Sequence, residues 1–210
     1  MSRLAIVLTL ALTVCPSAIA QPAPSARIGP FVVDLRGTFP NFPATVPLAN
    51  SRGIGSTDLP GLGLGVNVGA HLYLVRWRAI TFGIGGELMT ARAHSTPASP
   101  GGQAITERYT SIAPQLSFNF GGKRGWSYLS GGIGPSTWSI VPDGSAPLAV
   151  DDERLKTINY GGGARWFAKE HLAFTFDVRF YAINPGTPEF GFPASRRTTL
   201  IVIGAGVSIR

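Results

Sequence analysis

Six charged side chains of both signs, Asp34, Arg36, Glu87, Arg165, Asp177 and Arg179, interrupt stretches that are otherwise apolar and rich in glycine. Isolated charges on an apolar element are costly unless they meet one another, so this set predicts a buried ion-pair network; a gated pore or a ligand-reading site is the other use of such residues. The three histidines, His71, His94 and His171, are too dispersed for a metal centre, which needs three or four converging ligands. His94 beside Ser95 is the one nucleophile–base pairing on offer, but adjacent loop residues seldom converge and lack an orienting third group. Asp143, Asp151, Asp152 and Glu153 form an acidic stretch without calcium-loop spacing, and read as a solvated loop. Gly161-Gly162-Gly163 has no phosphate-loop lysine and points to close strand packing or a bulge. No catalytic residue, cofactor or metal is expected.

The elements that carry these residues are strands. Leu62, Leu64, Val66, Val68, Ala70, Leu72 and Leu74 alternate with Gly61, Gly63, Gly65, Asn67, Gly69, His71 and Tyr73. Leu172, Phe174, Phe176, Val178 and Phe180 alternate with Ala173, Thr175, Asp177, Arg179 and Tyr181. A period of two marks strands with two different faces, and no segment has helical spacing. The pattern predicts eight strands at 27–37, 60–76, 79–92, 104–121, 125–140, 154–168, 171–183 and 198–210, with Pro114 as the site of a bulge. Short connections at 77–78, 122–124 and 169–170 alternate with long ones at 38–59, 93–103, 141–153 and 184–197. That is the layout of an up-and-down antiparallel barrel with short turns on the periplasmic side and long loops outside.

Composition agrees. Charged residues are only 14% of the chain, glycines number 27, and mean hydropathy is +0.19. Arg3, the uncharged run Leu4 to Val14 and the small residues Ser17-Ala18-Ile19-Ala20 read as a cleaved signal peptide over 1–20, its apolar core of about 11 residues being too short to cross a bilayer. Cys15 is the single cysteine, so the mature domain, 21–210, would have no disulfide or cysteine metal site. The net charge of +7 becomes +6 without Arg3; anionic lipid headgroups suit this excess better than nucleic acid, which an exported protein would not meet.

Which face points out separates a membrane barrel from a lipocalin-like soluble ligand binder. The non-apolar face is glycine-rich and sparsely charged, as a narrow eight-stranded interior requires. Asp34, Glu87, Asp177 and Arg179 fall at similar mid-strand height, and Asn67 and Gln115 join them there. Trp77, Trp126, Tyr128, Trp166 and Phe167 near the short turns, with Trp138 near a long loop, are placed as an interfacial aromatic belt. Arg92, Arg196 and Arg197, at the bases of long loops, lie where lipopolysaccharide phosphates would be.

Gly61-Leu-Gly-Leu-Gly-Val-Asn-Val-Gly69 and the final Ile201-Val-Ile-Gly-Ala-Gly-Val-Ser-Ile-Arg210 resemble the small outer-membrane β-barrels, similar to the membrane domain of OmpA and the opacity-type barrels. The resemblance runs from Arg27 to Arg210 and rests on pattern rather than on a site motif. It implies an outer-membrane monomer in contact with lipid and lipopolysaccharide, delivered by the barrel-assembly machinery, with a structural or surface-contact role and a mostly plugged polar lumen. A narrow pore for ions or small solutes is the alternative; a lipid-modifying barrel enzyme and a soluble ligand binder stand behind it. Members usually end in an aromatic residue read by the assembly machinery, whereas this sequence ends in Ile209-Arg210.

Overall fold

The computed structural model describes residues 28–97 and 102–210; the expected signal peptide, with Cys15, lies outside them. Eight strands, β1 (Phe31–Asn41), β2 (Leu64–Trp77), β3 (Ile80–His94), β4 (Ile105–Gly122), β5 (Gly125–Pro142), β6 (Leu155–Phe167), β7 (Leu172–Ile183) and β8 (Thr198–Ile209), pair antiparallel with their sequence neighbours. β1 also pairs with β8, from Val33–Ile209 to Asn41–Ile201, which closes the barrel and leaves no sheet edge. The strands have 11 to 18 residues, enough for the roughly 9–11 that a tilted membrane strand needs. A single short helix, α1 (Val46–Asn50), interrupts the first long connection.

Seven strands lie within a few residues of their expected positions, and β1 lies four residues further along. The sequence reading ends this strand at Gly37 and gives 38–59 to the first long connection. In the barrel, the ladder to β2 stops at Thr38–Gly65, and Pro40 sits beyond it, accepting a bond from the Gly63 N–H while it pairs with Val202 of β8. Pro114 does not create a bulge. β3 pairs with β4 without a break, while the β4–β5 ladder is interrupted between Ser111–Ser136 and Gln115–Gly132 with no residue inserted. The one register shift falls between Tyr73 and Val75 in β2.

The two faces are inverted relative to a water-soluble protein. Leu64, Val66, Val68, Leu72, Ile84, Leu116, Ile133, Phe174, Phe176 and Ile203 are exposed on the outside, whereas Asp34, Arg36, Asn67, Glu87, Gln115, Arg165, Asp177 and Arg179 are buried inside. Such an exterior needs an apolar solvent, which a bilayer supplies. The aromatic belt is corrected: Trp77 and Trp166 face outward, but Trp126, Tyr128 and Trp138 are buried. Strand parity decides this, because residues 126, 128 and 138 share the inward phase of β5. Inside, Trp126 stacks on Phe167 at 4.9 Å and packs with Ile28 and Val32 to fill the short-turn end.

Phe176 sits mid-way along the outward row of β7. Phe176→Arg should lower the stability of protein folded in lipid vesicles by about 2–4 kcal/mol, while Thr199→Arg, beyond the apolar band, should cost about 0–1 kcal/mol. Urea unfolding of the two variants in one lipid checks this; equal losses would mean that the apolar face does not meet hydrocarbon.

Candidate functional site

All six charges singled out in the sequence meet in the lumen, and each is almost fully buried. They come from four strands: Asp34 and Arg36 from β1, Glu87 from β3, Arg165 from β6, and Asp177 and Arg179 from β7. Arg36 and Arg179 share two carboxylates. Arg36 lies 3.1 Å from Asp177 and 3.5 Å from Glu87; Arg179 Nε lies 3.1 Å from Asp177 and 3.0 Å from Glu87. Arg165 binds Asp34 in a two-pronged pair, Nε to Oδ1 and Nη2 to Oδ2, and the Ser208 hydroxyl donates to the same carboxylate. Three guanidiniums face three carboxylates, so the formal charge of the belt is zero.

Neutral side chains complete it. Asn67 Oδ1 accepts from Arg36 at 2.8 Å, Gln115 Oε1 accepts from Arg179 at 3.4 Å, and the Ser130 hydroxyl accepts from Arg179 at 2.7 Å. Two tyrosines that the sequence reading did not assign to the lumen network are central. The Tyr128 hydroxyl accepts from Arg36 and donates to Asp177, both at 2.7 Å; the Tyr181 hydroxyl donates to Glu87 at 2.8 Å. Their signal was strand phase, since Tyr181 lies two residues beyond Arg179 on the same face. Arg165 also lies over the Tyr128 ring, 3.9 Å from its centroid. Glycine makes the space: a Cβ at Gly161 would overlap the Val178 carbonyl, and one at Gly163 would press on the Tyr128 hydroxyl.

A second obstruction lies nearer the long loops. Phe42, Met89, Ile105, Tyr109, Trp138, Ile140, Ile183 and Leu200 pack into one apolar cluster, and α1 contributes Leu48 and Ala49. Glu107 is buried in this region and accepts a 2.8 Å bond from Trp138 Nε1. The acidic loop is not wholly solvated as expected. Asp151 is buried, accepts from the Ile140 and Leu148 N–H groups, and lies 3.4 Å from Arg52 Nε. Its neighbours gave no hint, because the pairing residue is about a hundred positions away.

The remaining candidates do not join this site. His71 is buried in the lumen, while His94 is exposed beside Thr106 and Asp143. The Ser95 hydroxyl accepts the Ile105 N–H, and His171 faces the Arg210 carbonyl at the short-turn end. The three arginines at loop bases are exposed but separate: Arg92 is on β3, whereas Arg196 and Arg197 precede β8, and Arg197 donates to Asn184.

No protein-family model matches the chain, and none of the curated proteins does. Solved structures do. Neisserial surface protein A is similar over 86% of this chain and 97% of its own, with a TM-score of 0.58 and 12% identity. The fold is that of a small outer-membrane β-barrel. The attachment invasion locus protein Ail of Yersinia pestis, solved with the heparin analogue sucrose octasulfate, aligns over 85% of this chain and 97% of its own at TM-score 0.47 and 12% identity. OprG from Pseudomonas aeruginosa aligns over 88% and 96% at TM-score 0.47 and 9% identity.

In such a barrel the Asp34–Arg165 pair is the most self-contained part of the belt. Arg165→Met alone strands a buried carboxylate and should destabilise the protein by about 3–5 kcal/mol, whereas Asp34→Asn with Arg165→Met should recover most of that loss. Urea unfolding of the single and double variants measures the coupling. A double variant as unstable as the sum of the singles would show that the pair is not a unit.

Proposed function

We propose that the protein resides in the bacterial outer membrane as a closed, monomeric barrel whose role is structural and surface contact rather than transport or catalysis. The observation that carries this reading is the double obstruction of the lumen: a neutral belt of six paired charges at mid-height and an apolar cluster under α1 nearer the long loops. A solute would have to break both. Eight strands also leave an interior only wide enough for side chains, whereas open aqueous channels belong to barrels of about 16–18 strands. In this orientation the short turns are periplasmic and the long connections face outward. The separation of His94 from the Ser95 hydroxyl's bonding argues against a lipid hydrolase, because a base must reach its nucleophile.

Reconstitution in planar bilayers tests the proposal. The protein should give a heat-modifiable, β-rich species in detergent and no stepwise conductance at moderate potentials. Reproducible single-channel steps would overturn closure and favour the narrow pore; folding to a monomer in plain buffer would overturn the membrane barrel itself.

A further inference from the structure

The outward face changes character at one height on one side of the barrel. Going up β3 from the apolar band, Leu88 is followed on the same face by Thr90 and Arg92; on β4, Ile112 is followed by Thr110 and Arg108. The register sets Thr90 opposite Thr110, with hydroxyls 3.2 Å apart, and Arg92 directly opposite Arg108. Thr110 pairs in turn with Thr137 of β5, and Arg108 with Ser139. Pro135 and Ser136 of β5 pair with Lys156 and Leu155 of β6, which brings Arg154, just before β6, beside Thr137. Three arginines and a lysine therefore surround a row of threonine hydroxyls on four adjacent strands. Below the row, Leu88, Ile112 and Pro135 floor a groove of about 310 Å³ that Thr110, Thr137 and Arg154 also line.

Like charges placed directly opposite on a sheet destabilise it. Arg92 and Arg108 are exposed, and among the described residues neither they nor Arg154 and Lys156 form an ion pair. Arg92 donates a long 3.4 Å bond to Thr106, whose hydroxyl donates to Asp143, and His94 lies 3.9 Å from that carboxylate. Among the described residues, none of these four cations has a carboxylate within ion-pair distance, at the level where the apolar outer row gives way to threonines.

We propose that this face, centred on Arg92, Arg108, Arg154 and Lys156, binds the phosphorylated headgroup of lipopolysaccharide, with an acyl chain laid in the groove over Leu88 and Ile112. Guanidiniums take phosphate oxygens in charge-assisted, often two-pronged bonds, and the threonine hydroxyls donate beneath them. The outer leaflet supplies both halves of this ligand in one molecule, an anion directly attached to acyl chains, which the adjoining cationic and apolar surfaces match. The inference rests on the membrane-barrel reading and replaces a site spread over Arg92, Arg196 and Arg197 with one confined to β3–β6.

The test uses the protein extracted from membranes in detergent and compares it with Arg92→Ala/Arg108→Ala/Arg154→Ala and with Arg196→Ala/Arg197→Ala. Native mass spectrometry and titration with purified lipopolysaccharide, dephosphorylated lipopolysaccharide and phosphatidylglycerol read the binding. The triple variant should bind lipopolysaccharide at least about 10-fold more weakly, the double variant should match wild type, and dephosphorylation should weaken wild-type binding to the same degree. Unchanged binding by the triple variant overturns the proposal, as does equal binding of the dephosphorylated form. Phosphatidylglycerol binding as tight as lipopolysaccharide would overturn the choice of lipid. These substitutions are on the exposed face, so heat-modifiable mobility should persist in every variant; its loss in wild type as well would mean that the barrel reading, not this site, has failed.

Discussion

Charge neutrality in a space closed to bulk water is the constraint on which the lumen depends. Each of Arg36, Arg165 and Arg179 is nearly inaccessible, and a guanidinium so placed is tolerable only with carboxylates in contact. With three acids for three arginines, the belt needs every member: Asp177 alone touches Arg36, Arg179 and Tyr128. The surrounding design follows. Gly161 and Gly163 thin one wall so that Arg179 and Tyr128 fit, Asn67 accepts from Arg36, and Ser130 and Gln115 accept from Arg179.

Much of the architecture was legible in the sequence because a period of two in a bilayer has one solution. Apolar residues at 64, 66, 68 and 72 must face lipid, so Asn67 and His71 must face the lumen, and the alternating short and long connections then fix the strand order. The same rule puts the six charges on the inward face. Where the reading failed, it had set parity aside. Trp126, Tyr128 and Trp138 were assigned to an interface by residue type and nearness to turns, yet they share a phase that faces inward. β1 runs past its expected end because its pairing with β8 continues to Asn41–Ile201 after the ladder to β2 has stopped at Thr38–Gly65.

The long connections were the least legible part, for a different reason. Their partners are remote in sequence, and polar composition says only that they can be wet. α1 turns Leu48 and Ala49 down onto Phe42, Met89 and Trp138, and Asp151 folds inward to hold the Ile140 and Leu148 N–H groups. Another loop tie, from the Val150 N–H to the Glu189 carboxylate, joins the third and fourth long connections. No local pattern announces such contacts; they are settled by what space the barrel mouth leaves.

The two obstructions reinforce one another because they rest on different physics. An apolar cluster above the belt keeps water from the ion pairs, which lowers the local dielectric and strengthens each attraction. The same low dielectric makes any unpaired charge intolerable, so the belt is held to complete pairing. Tyr181 links the layers, since its ring stacks edge-on with Tyr109 at 5.6 Å while its hydroxyl donates to Glu87. Opening the mouth would therefore pull Tyr181 away from a buried carboxylate and disturb the belt. Through Tyr181 the side chains of the two layers form one interlocked core.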